Sequence, residues 1–293
     1  MTILQAILLG LVQGLTEFIP VSSTAHLVFA SRVVGLYGGI DKTLQAEQTT
    51  ATIAVIQLGT LLAVLIYFAP DIVNILRAFI GDHLALLRGR SEPGRPKLSR
   101  DAWLGWLVII GSLPVGTIGL LLKKQIEGPF TKNLWVIATM MIVVGGLMAI
   151  AELVGRRQKD MDHLGAGDAL AVGSAQVLAL IPGSSRSGST IMAGLFAGQT
   201  RETAARFSFL LSIPAVGASG LLELKEAIHK LPAGSYPSLA VATIVSGVVG
   251  YASIWFLLRY LRTHSTGVFI VYRVIVGVAI LAALALGYMS ASI

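Results

Sequence analysis

Apolar residues dominate the chain, and they are grouped in runs long enough to cross a membrane. A transmembrane helix needs about 20 consecutive apolar residues. Stretches of this length with few charges in the middle occupy residues 47–68, 103–123, 133–153, 204–222, 237–258 and 267–288. The pattern therefore predicts six transmembrane helices.

Two further apolar stretches, residues 3–30 and 169–198, are too long for one span. Each is interrupted by a proline followed by small hydroxyl residues, at residues 20–24 and 182–186. Irregular backbone at membrane depth is tolerated only where it is buried in protein or lines a polar cavity. We therefore expect each stretch to form a re-entrant pair of half-helices that turns at the break and leaves on the side where it entered.

The two interrupted stretches resemble each other, which indicates a duplication. QGLTEFIPVSS, from residue 13, and QVLALIPGSS, from residue 176, share Gln, Ile-Pro and Ser-Ser once a one-residue gap is allowed. Three predicted spans follow each stretch, and an odd number of crossings inverts the second half. We predict a single all-α integral membrane domain built as an inverted repeat, each half a re-entrant helix pair plus three transmembrane helices. Repeat 1 covers residues 1–153, repeat 2 covers 169–293, and the polar loop 154–168 links them.

Composition and charge agree with this class and orient the chain. Of its 293 residues 55% are hydrophobic and 13% charged, with a mean hydropathy of +0.79, whereas soluble domains carry about 25% charged residues. This excludes an ordinary soluble enzyme, and the lack of cysteine excludes disulfides and thiolate chemistry. The net charge of +7 is explained by cytoplasmic loops that face anionic lipid, not by nucleic acid.

The distribution of Lys and Arg favours the re-entrant topology. The re-entrant topology places 13 Lys and Arg residues on the side of residues 69–102 and 154–168 and 7 on the opposite side. Two full spans in place of the hairpins would give 11 and 9. Because positive residues accumulate in cytoplasmic loops, residues 69–102, a polar stretch with a loop at Pro93-Gly94 and Pro96, are expected inside.

Few ionisable residues lie inside the apolar stretches, so each is a candidate for function. These are Glu17 and His26 near the first break, Arg186 at the second break, and Arg273 in the last span. If the two breaks meet, the first three converge on one site. Arg273 is expected either in the same cavity or paired with Glu152 or Glu223.

Gln13 and Glu17 are the candidate metal ligands. They lie four residues apart, so both side chains project from one face of a helix. Such oxygen donors can hold a divalent cation such as Mg²⁺ or Ca²⁺, position a water molecule, or join two helices by a hydrogen bond.

The hydroxyl and glycine residues at both breaks are candidates for binding an anion. A helix start offers free N–H groups and a positive dipole end, which suit phosphate, although hydroxyls there also serve as helix caps. Arg186 adds a planar cation that matches phosphate oxygens. The candidate substrate-binding residues are Ser22, Thr24, Gly183, Ser184, Ser185, Ser187, Gly188, Thr190 and Arg273.

The candidate catalytic residues are Glu17, Ser23, His26 and Arg186. His26 follows Ser23 by three residues and could act as its base, as an acid for a leaving group, or as the nucleophile. A histidine satisfied by a backbone carbonyl is the structural alternative. Ser23 is a candidate nucleophile or phosphate ligand, and direct attack by water is a third route.

At these motifs the sequence resembles the bacterial undecaprenyl-diphosphatase family of the bacitracin-resistance type. The family pattern (E/Q)xxxE followed by PxSSTxH is matched from Gln13 to His26, and PGxSRSGxT from Pro182 to Thr190. The resemblance covers the whole chain in length and hydropathy. Gln13 stands where some members carry a second glutamate, which weakens any mechanism that needs two carboxylates on a metal.

The resemblance implies a multi-pass plasma-membrane phosphatase that removes the terminal phosphate of undecaprenyl diphosphate and returns the lipid carrier to peptidoglycan synthesis. It further implies a divalent cation and a site open to the extracytoplasmic side. The implied partners are a polyprenyl diphosphate and membrane lipid, without nucleic acid, and a homodimer is left open. The alternative function is an inverted-repeat transporter or flippase for an anionic lipid or a phosphate-bearing substrate, since broken helices are common in transporters.

Overall fold

The computed structural model describes residues 1–89, 98–122 and 133–291, with backbone only at residues 42, 221–223, 225–230 and 233. In these ranges the chain forms helices and no strand. The α-helices are α1 (Ile3–Phe18), α2 (Ser23–Val33), α3 (Lys42–Tyr67), α4 (Ala69–Leu87), α5 (Arg100–Leu121), α6 (Leu134–Val154), α7 (Ala166–Gln176), α8 (Arg186–Phe196), α9 (Arg201–Lys230), α10 (Tyr236–Leu261) and α11 (Gly267–Ala285). Short 3₁₀ turns cover Met161–His163, Val177–Leu180 and Ala233–Ser235.

The prediction of an all-α membrane protein is confirmed. Helices α3, α5, α6, α10 and α11 are long and apolar enough to cross a membrane, judged by length and composition within the described residues. They coincide with five of the six predicted spans. The sixth, residues 204–222, lies inside α9, which contains Pro214.

The polar stretch predicted at residues 69–102 is helical over much of its length. Helix α4 covers Ala69–Leu87, and its Phe79 packs against Gly105 near the start of α5. Periodic spacing of three or four residues gives α4 an exposed apolar stripe of Val73, Leu76, Ile80, Leu84 and Leu87. The loop expected at Pro93-Gly94 and Pro96, with Arg90, Arg95 and Lys97, lies outside the described residues.

Each interrupted stretch forms a helical hairpin. The Gln5 side chain near the start of α1 donates to the carbonyl of Val34, directly after α2, at 2.8 Å. In the second hairpin, the Lys159 ammonium binds Asp168 at the start of α7, and the Lys159 carbonyl accepts from Thr200, after α8. Both hairpins therefore return to the end where they begin.

Each hairpin packs against a helix from the other half of the chain. Helix α1 lies on α10, and α7 lies on α5. Glycines permit these close approaches, since a Cβ at Gly173 in α7 would lie 2.1 Å from the carbonyl oxygen of Gly111 in α5. Each hairpin thus packs on the opposite half, which is the pattern expected of a duplicated chain. The repeat boundaries and the inversion of the halves across the membrane stay predictions.

Several ion pairs join helix ends on the face that was predicted to be cytoplasmic. Glu152 at the end of α6 accepts from Arg157, Arg201 and Thr266, which ties α6 to the starts of α9 and α11. Further pairs on this face are Asp71–Arg206, Lys159–Asp168, Arg100–Asp162 and Glu202–Arg262. The basic loops thus gather at one end of the molecule.

Arg273 in α11 joins the two breaks. Its guanidinium is fully buried and donates to the carbonyls of Pro20 at 3.2 Å, Gly183 at 2.9 Å and Ser184 at 3.0 Å. It also donates to Met140 and Met141 of α6 at 3.4 and 3.2 Å. One charged side chain therefore satisfies carbonyls from three segments of the chain, the two breaks and α6.

The contacts of Arg273 distinguish between the positions expected for it, in the cavity of the site or paired with Glu152 or Glu223. Glu152 is occupied by Arg157, Arg201 and Thr266, so the suggested Glu152 pairing is not formed. The side chain of Glu223 lies outside the described side chains. Arg273 thus lies at the meeting point of the two breaks.

Replacing Arg273 with Met is expected to lower the free energy of unfolding in detergent by at least about 3 kcal/mol, because hydrogen bonds to a charged donor contribute about 1.5–3 kcal/mol each. The measurement is a thermal or urea titration followed by circular dichroism. Arg259→Met, at an exposed arginine near the end of α10, is the matched control and should leave stability unchanged within about 0.5 kcal/mol. Equal stability of the two variants would contradict a bracing role for Arg273.

Candidate active site

The two breaks share an unusual backbone conformation. Ser22 precedes α2 with a φ of 77°, and Ser185 precedes α8 with a φ of 68°. Positive φ at a residue other than glycine costs about 1–3 kcal/mol and is concentrated at functional sites. The shared geometry makes Ser22 and Ser185 equivalent, so the first residues of the return helices, Ser23 and Arg186, are equivalent too. The structural register thus differs by one residue from the Ser-Ser match seen in the sequence.

Gly183 permits the close packing of the second break. Its φ is 93°, and a Cβ there would lie only 2.2 Å from the carbonyl oxygen of Ile137 in α6. Any larger residue would push the break away from α6. The glycine therefore lets the break approach α6 and places its carbonyl within reach of Arg273.

Glu17, near the end of α1, is the centre of the site. Its Oε2 accepts from the Ser23 hydroxyl at 2.8 Å and from the Gln13 amide nitrogen at 3.1 Å. Its Oε1 accepts from Arg186 Nη2 at 2.9 Å. The carboxylate is buried, so little water screens these contacts. The structure thus brings Gln13, Glu17, Ser23 and Arg186 together, and of these the contact between Glu17 and Arg186 matches the expected convergence.

Arg186 carries a donor that the protein leaves unused. Its Nη1 is buried and finds no hydrogen-bond partner among the described residues. A buried N–H without a partner is costly, so such a group marks a place for a ligand or an ordered water. The start of α2 lies nearby through Ser23 and lacks a side-chain cap in the described structure. Both features offer donors to an anion.

His26 does not contact Ser23 through either ring nitrogen. Its Nδ1 lies 2.7 Å from the carbonyl oxygen of Ser22, and its Nε2 lies 2.6 Å from the hydroxyl of Tyr272. The residue bonded to Ser23 is Glu17 instead. The structural alternative for His26, a bond to a backbone carbonyl, is therefore present in the structure.

Tyr272 is a neighbour of the site that sequence reasoning missed. It lies 246 residues from His26 in the chain, and its ring stacks on the imidazole with centroids 5.6 Å apart. Tyrosine is common in membrane helices, so its type alone carries no signal. Its position next to the intramembrane Arg273 was the one available indication.

Burial divides the predicted substrate-binding and catalytic residues into two groups. Those with accessible surface are Ser23, Thr24, His26, Ser185 and Arg186. Those that are buried are Glu17, described above, and Ser22, Gly183, Ser184, Ser187, Gly188, Thr190 and Arg273.

The buried group makes contacts within the protein. For example, the Thr190 hydroxyl lies 2.6 Å from that of Ser208, and the Ser187 hydroxyl donates to the carbonyl of Ile19 at 3.4 Å. These two hydroxyls hold the breaks together, whereas Ser184 Oγ is buried without a hydrogen-bond partner among the described residues. In the accessible group, the Ser185 hydroxyl accepts from the Gly188 N–H and caps α8, which leaves Ser23, Thr24 and Arg186 to face a ligand.

Comparison with known proteins shows the family of the chain. The profile of the family described as bacitracin resistance protein BacA matches residues 6–279. A protein of Syntrophobacter fumaroxidans named undecaprenyl-diphosphatase is 54% identical over 96% of this chain and 97% of its own length.

More distant relatives carry the same name. The protein of Mycobacterium ulcerans is 48% identical over 98% of this chain and 99% of its own length. That of Chlorobium phaeobacteroides is 45% identical over 99% of this chain and 100% of its own. Since both the profile and these relatives span nearly the whole chain, the chain belongs to the bacitracin resistance protein BacA family.

Proposed function

We propose that this protein hydrolyses undecaprenyl diphosphate to undecaprenyl phosphate and inorganic phosphate, which returns the lipid carrier to peptidoglycan synthesis. The observation that carries the proposal is the meeting of Glu17, Ser23 and Arg186, contributed by two chain breaks inside a helical membrane protein. Relatives of nearly equal length are named for this activity. Their names favour the phosphatase over the transporter or flippase.

Arg186 is the principal phosphate-binding residue of the proposal. Its Nη1 supplies a buried donor without a partner among the described residues, and its charge offsets the negative charge of the diphosphate. Ser23, Thr24 and the N–H groups at the start of α2 are the polar groups linked to it through Glu17. In a site with little water, donors fixed in place stabilise the charge that spreads over the transferred phosphate.

Ser23 is the proposed nucleophile, and Glu17 is its proton acceptor. Ser23 Oγ attacks the terminal phosphorus while its proton passes to Glu17 Oε2, 2.8 Å away. The bond between the terminal phosphorus and the bridging oxygen breaks, and undecaprenyl phosphate leaves on that oxygen. Water then hydrolyses the phosphoserine. Attack by His26 is disfavoured because both of its ring nitrogens are engaged by Ser22 and Tyr272.

A divalent cation, Mg²⁺ or Ca²⁺, is the proposed cofactor, and Glu17 is its protein carboxylate. The described residues contain no group of three or more His, Cys, Asp or Glu side chains that could hold a metal. Glu17 would hold the cation as a single carboxylate together with the oxygens of the diphosphate, a common arrangement for Mg²⁺ at phosphate sites. Such a cation would supply positive charge beside the transferred phosphate.

Gln13 acts on Glu17 as a donor in this structure. Its amide nitrogen donates to the Glu17 carboxylate at 3.1 Å and to the Thr60 hydroxyl at 3.2 Å. We therefore assign Gln13 the orientation of Glu17. Binding of the cation by the Gln13 amide oxygen stays a prediction.

The proposed location is the bacterial plasma membrane, with the site facing the extracytoplasmic side. The concentration of basic loops on the face that carries the Glu152 cluster supports this orientation, because that face is expected inside. The homodimer stays a prediction.

Replacing Arg186 with Ala is expected to lower kcat/KM for phosphate release by about 10²–10³, as for loss of one donor that stabilises a transition state. Arg186→Lys should recover part of the loss, because it restores the charge but not the planar fork. The measurement is release of inorganic phosphate from undecaprenyl diphosphate in detergent, with Arg259→Ala as the matched control. Near-normal turnover of Arg186→Ala would refute the assignment, and transmembrane movement of lipid without release would favour the transporter.

The nucleophile can be identified by trapping. Rapid quench with substrate labelled in its terminal phosphate is expected to leave label on the peptide that contains Ser23, and Ser23→Ala should abolish that label. Mass spectrometry of the quenched protein locates the phosphate. Label on His26 would refute attack by Ser23, and incorporation of solvent oxygen without a labelled protein would favour direct attack by water.

Removal of divalent cations with EDTA is expected to abolish phosphate release, and added Mg²⁺ or Ca²⁺ should restore it. Glu17→Gln should lower phosphate release at every cation concentration and raise the cation concentration needed for half of its remaining rate, because Glu17 is both the proposed proton acceptor and the proposed cation carboxylate. Glu202→Gln, in the ion pair with Arg262, is the matched control. Full activity in EDTA would contradict the cation proposal and leave the role of Arg186 standing.

A further inference from the structure

Tyr272 and Arg273 are neighbours on α11, and both reach the first break. Arg273 donates to the carbonyl of Pro20 at 3.2 Å. The Tyr272 hydroxyl lies 2.6 Å from His26 Nε2, and the two rings stack at 13° between their planes. Helix α11 therefore holds the first break through two consecutive side chains.

The carbonyl of Ser22 fixes the direction of both hydrogen bonds made by the His26 ring, the one to Ser22 and the one to Tyr272. The Ser22 carbonyl can only accept, so His26 Nδ1 carries the hydrogen and donates at 2.7 Å. In the neutral ring Nε2 is then an acceptor, and the Tyr272 hydroxyl donates to it. The backbone N–H of His26 also donates to the Ser22 carbonyl, at 3.4 Å. A directed chain thus runs from Tyr272 through His26 to Ser22.

This chain ends on the peptide that presents Ser23. Ser22 has a φ of 77°, and without a restraint the backbone there would relax towards a more favourable region. A peptide unit is planar, so fixing the Ser22 carbonyl also fixes the direction of the Ser23 N–H. The Ser23 side chain leaves from the next atom of the same backbone and reaches Glu17 at 2.8 Å.

We propose that Tyr272 is a positioning residue that acts through His26 to orient the Ser22–Ser23 peptide towards the transferred phosphate. This inference rests on the proposed function and deepens it. His26, on this view, serves the reaction by holding the Ser22 carbonyl, and Tyr272 keeps its ring in the tautomer and orientation that the bond requires. Both residues act on the placement of Ser23.

Tyr272→Phe tests the proposal, because it removes the hydroxyl and keeps the stacked ring. We expect kcat for phosphate release to fall about tenfold, the loss that corresponds to one hydrogen bond of about 1.4 kcal/mol. KM should stay within about twofold, since Arg186 still binds the phosphates. Tyr251→Phe is the matched control, because Tyr251 is 44% exposed on α10 and Tyr272 is 42% exposed. Wild-type kcat in Tyr272→Phe would overturn the proposal.

A double-mutant cycle separates positioning through His26 from a general packing role. His26→Phe removes both ring nitrogens, so adding Tyr272→Phe should lower kcat no further. Independent effects that multiply in the double variant would overturn the proposed route through His26. Equal unfolding midpoints for Tyr272→Phe and the wild-type protein are expected, because the ring packing is kept, and a large drop in midpoint would overturn positioning as the cause of a lower kcat.

A chemical readout at His26 tests the contact without any enzyme assay. Diethyl pyrocarbonate modifies the unprotonated ring nitrogen, which in this protein is Nε2 and is covered by the Tyr272 hydroxyl. We expect Tyr272→Phe to speed modification of the peptide that contains His26 several-fold, with the other histidine peptides unchanged by mass spectrometry. An unchanged rate at His26 would overturn the proposed contact. Faster modification in a protein whose wild-type form releases no phosphate would support the contact and overturn the proposed function instead.

Discussion

A helix that breaks inside a membrane leaves backbone carbonyls without helical partners, and here one guanidinium satisfies them at both breaks. Arg273 binds carbonyls at Pro20, Gly183 and Ser184. With no water in the hydrocarbon region, unsatisfied groups of this kind would be costly enough to prevent the breaks from forming. The charge of Arg273 is in turn tolerated because each of its nitrogens meets a carbonyl dipole. The placement of the reactive groups depends on this arrangement.

The site is assembled across the two halves of the chain. Glu17 and Ser23 come from the first hairpin, Arg186 from the second, and Tyr272 and Arg273 from the last helix. A buried carboxylate and a buried guanidinium each carry a desolvation cost, so they are stable only where the fold supplies the partner. Neither hairpin contains both groups. The chemistry therefore requires the contact between the breaks.

The residues at the breaks serve two purposes that their sequence does not separate. Ser187 and Thr190 lie in the same motif as Arg186, yet their hydroxyls bind groups inside the protein. Arg186 keeps accessible surface, and its Nη1 has no partner among the described residues. A motif rich in hydroxyls thus contains both the braces that keep a strained turn in place and the groups that are left for a ligand. The strained backbone at Ser22 and Ser185 persists because these contacts hold the turns in place.

Much of the fold and the candidate site could be predicted from the sequence, because long apolar runs and rare intramembrane charges are local signals. These signals predicted the two breaks, the convergence of Glu17 with Arg186 and five spans that the structure contains. Helix α4 lies within the predicted polar stretch, because most charged residues of residues 69–102 follow the helix and dominate the composition of the stretch.

What only the tertiary structure decided was which groups touch. Nothing in the spacing of Ser23 and His26 shows that the histidine turns to the Ser22 carbonyl and Tyr272 while the serine binds Glu17. The sequence by itself determined that this protein lies in a membrane and which side chains are its candidate reactive groups. The first depends on composition, and the second depends on single residues. Their pairing depends on how breaks far apart in the chain pack against α11, and hydrogen bonds are too short-ranged and directional to be read from spacing alone.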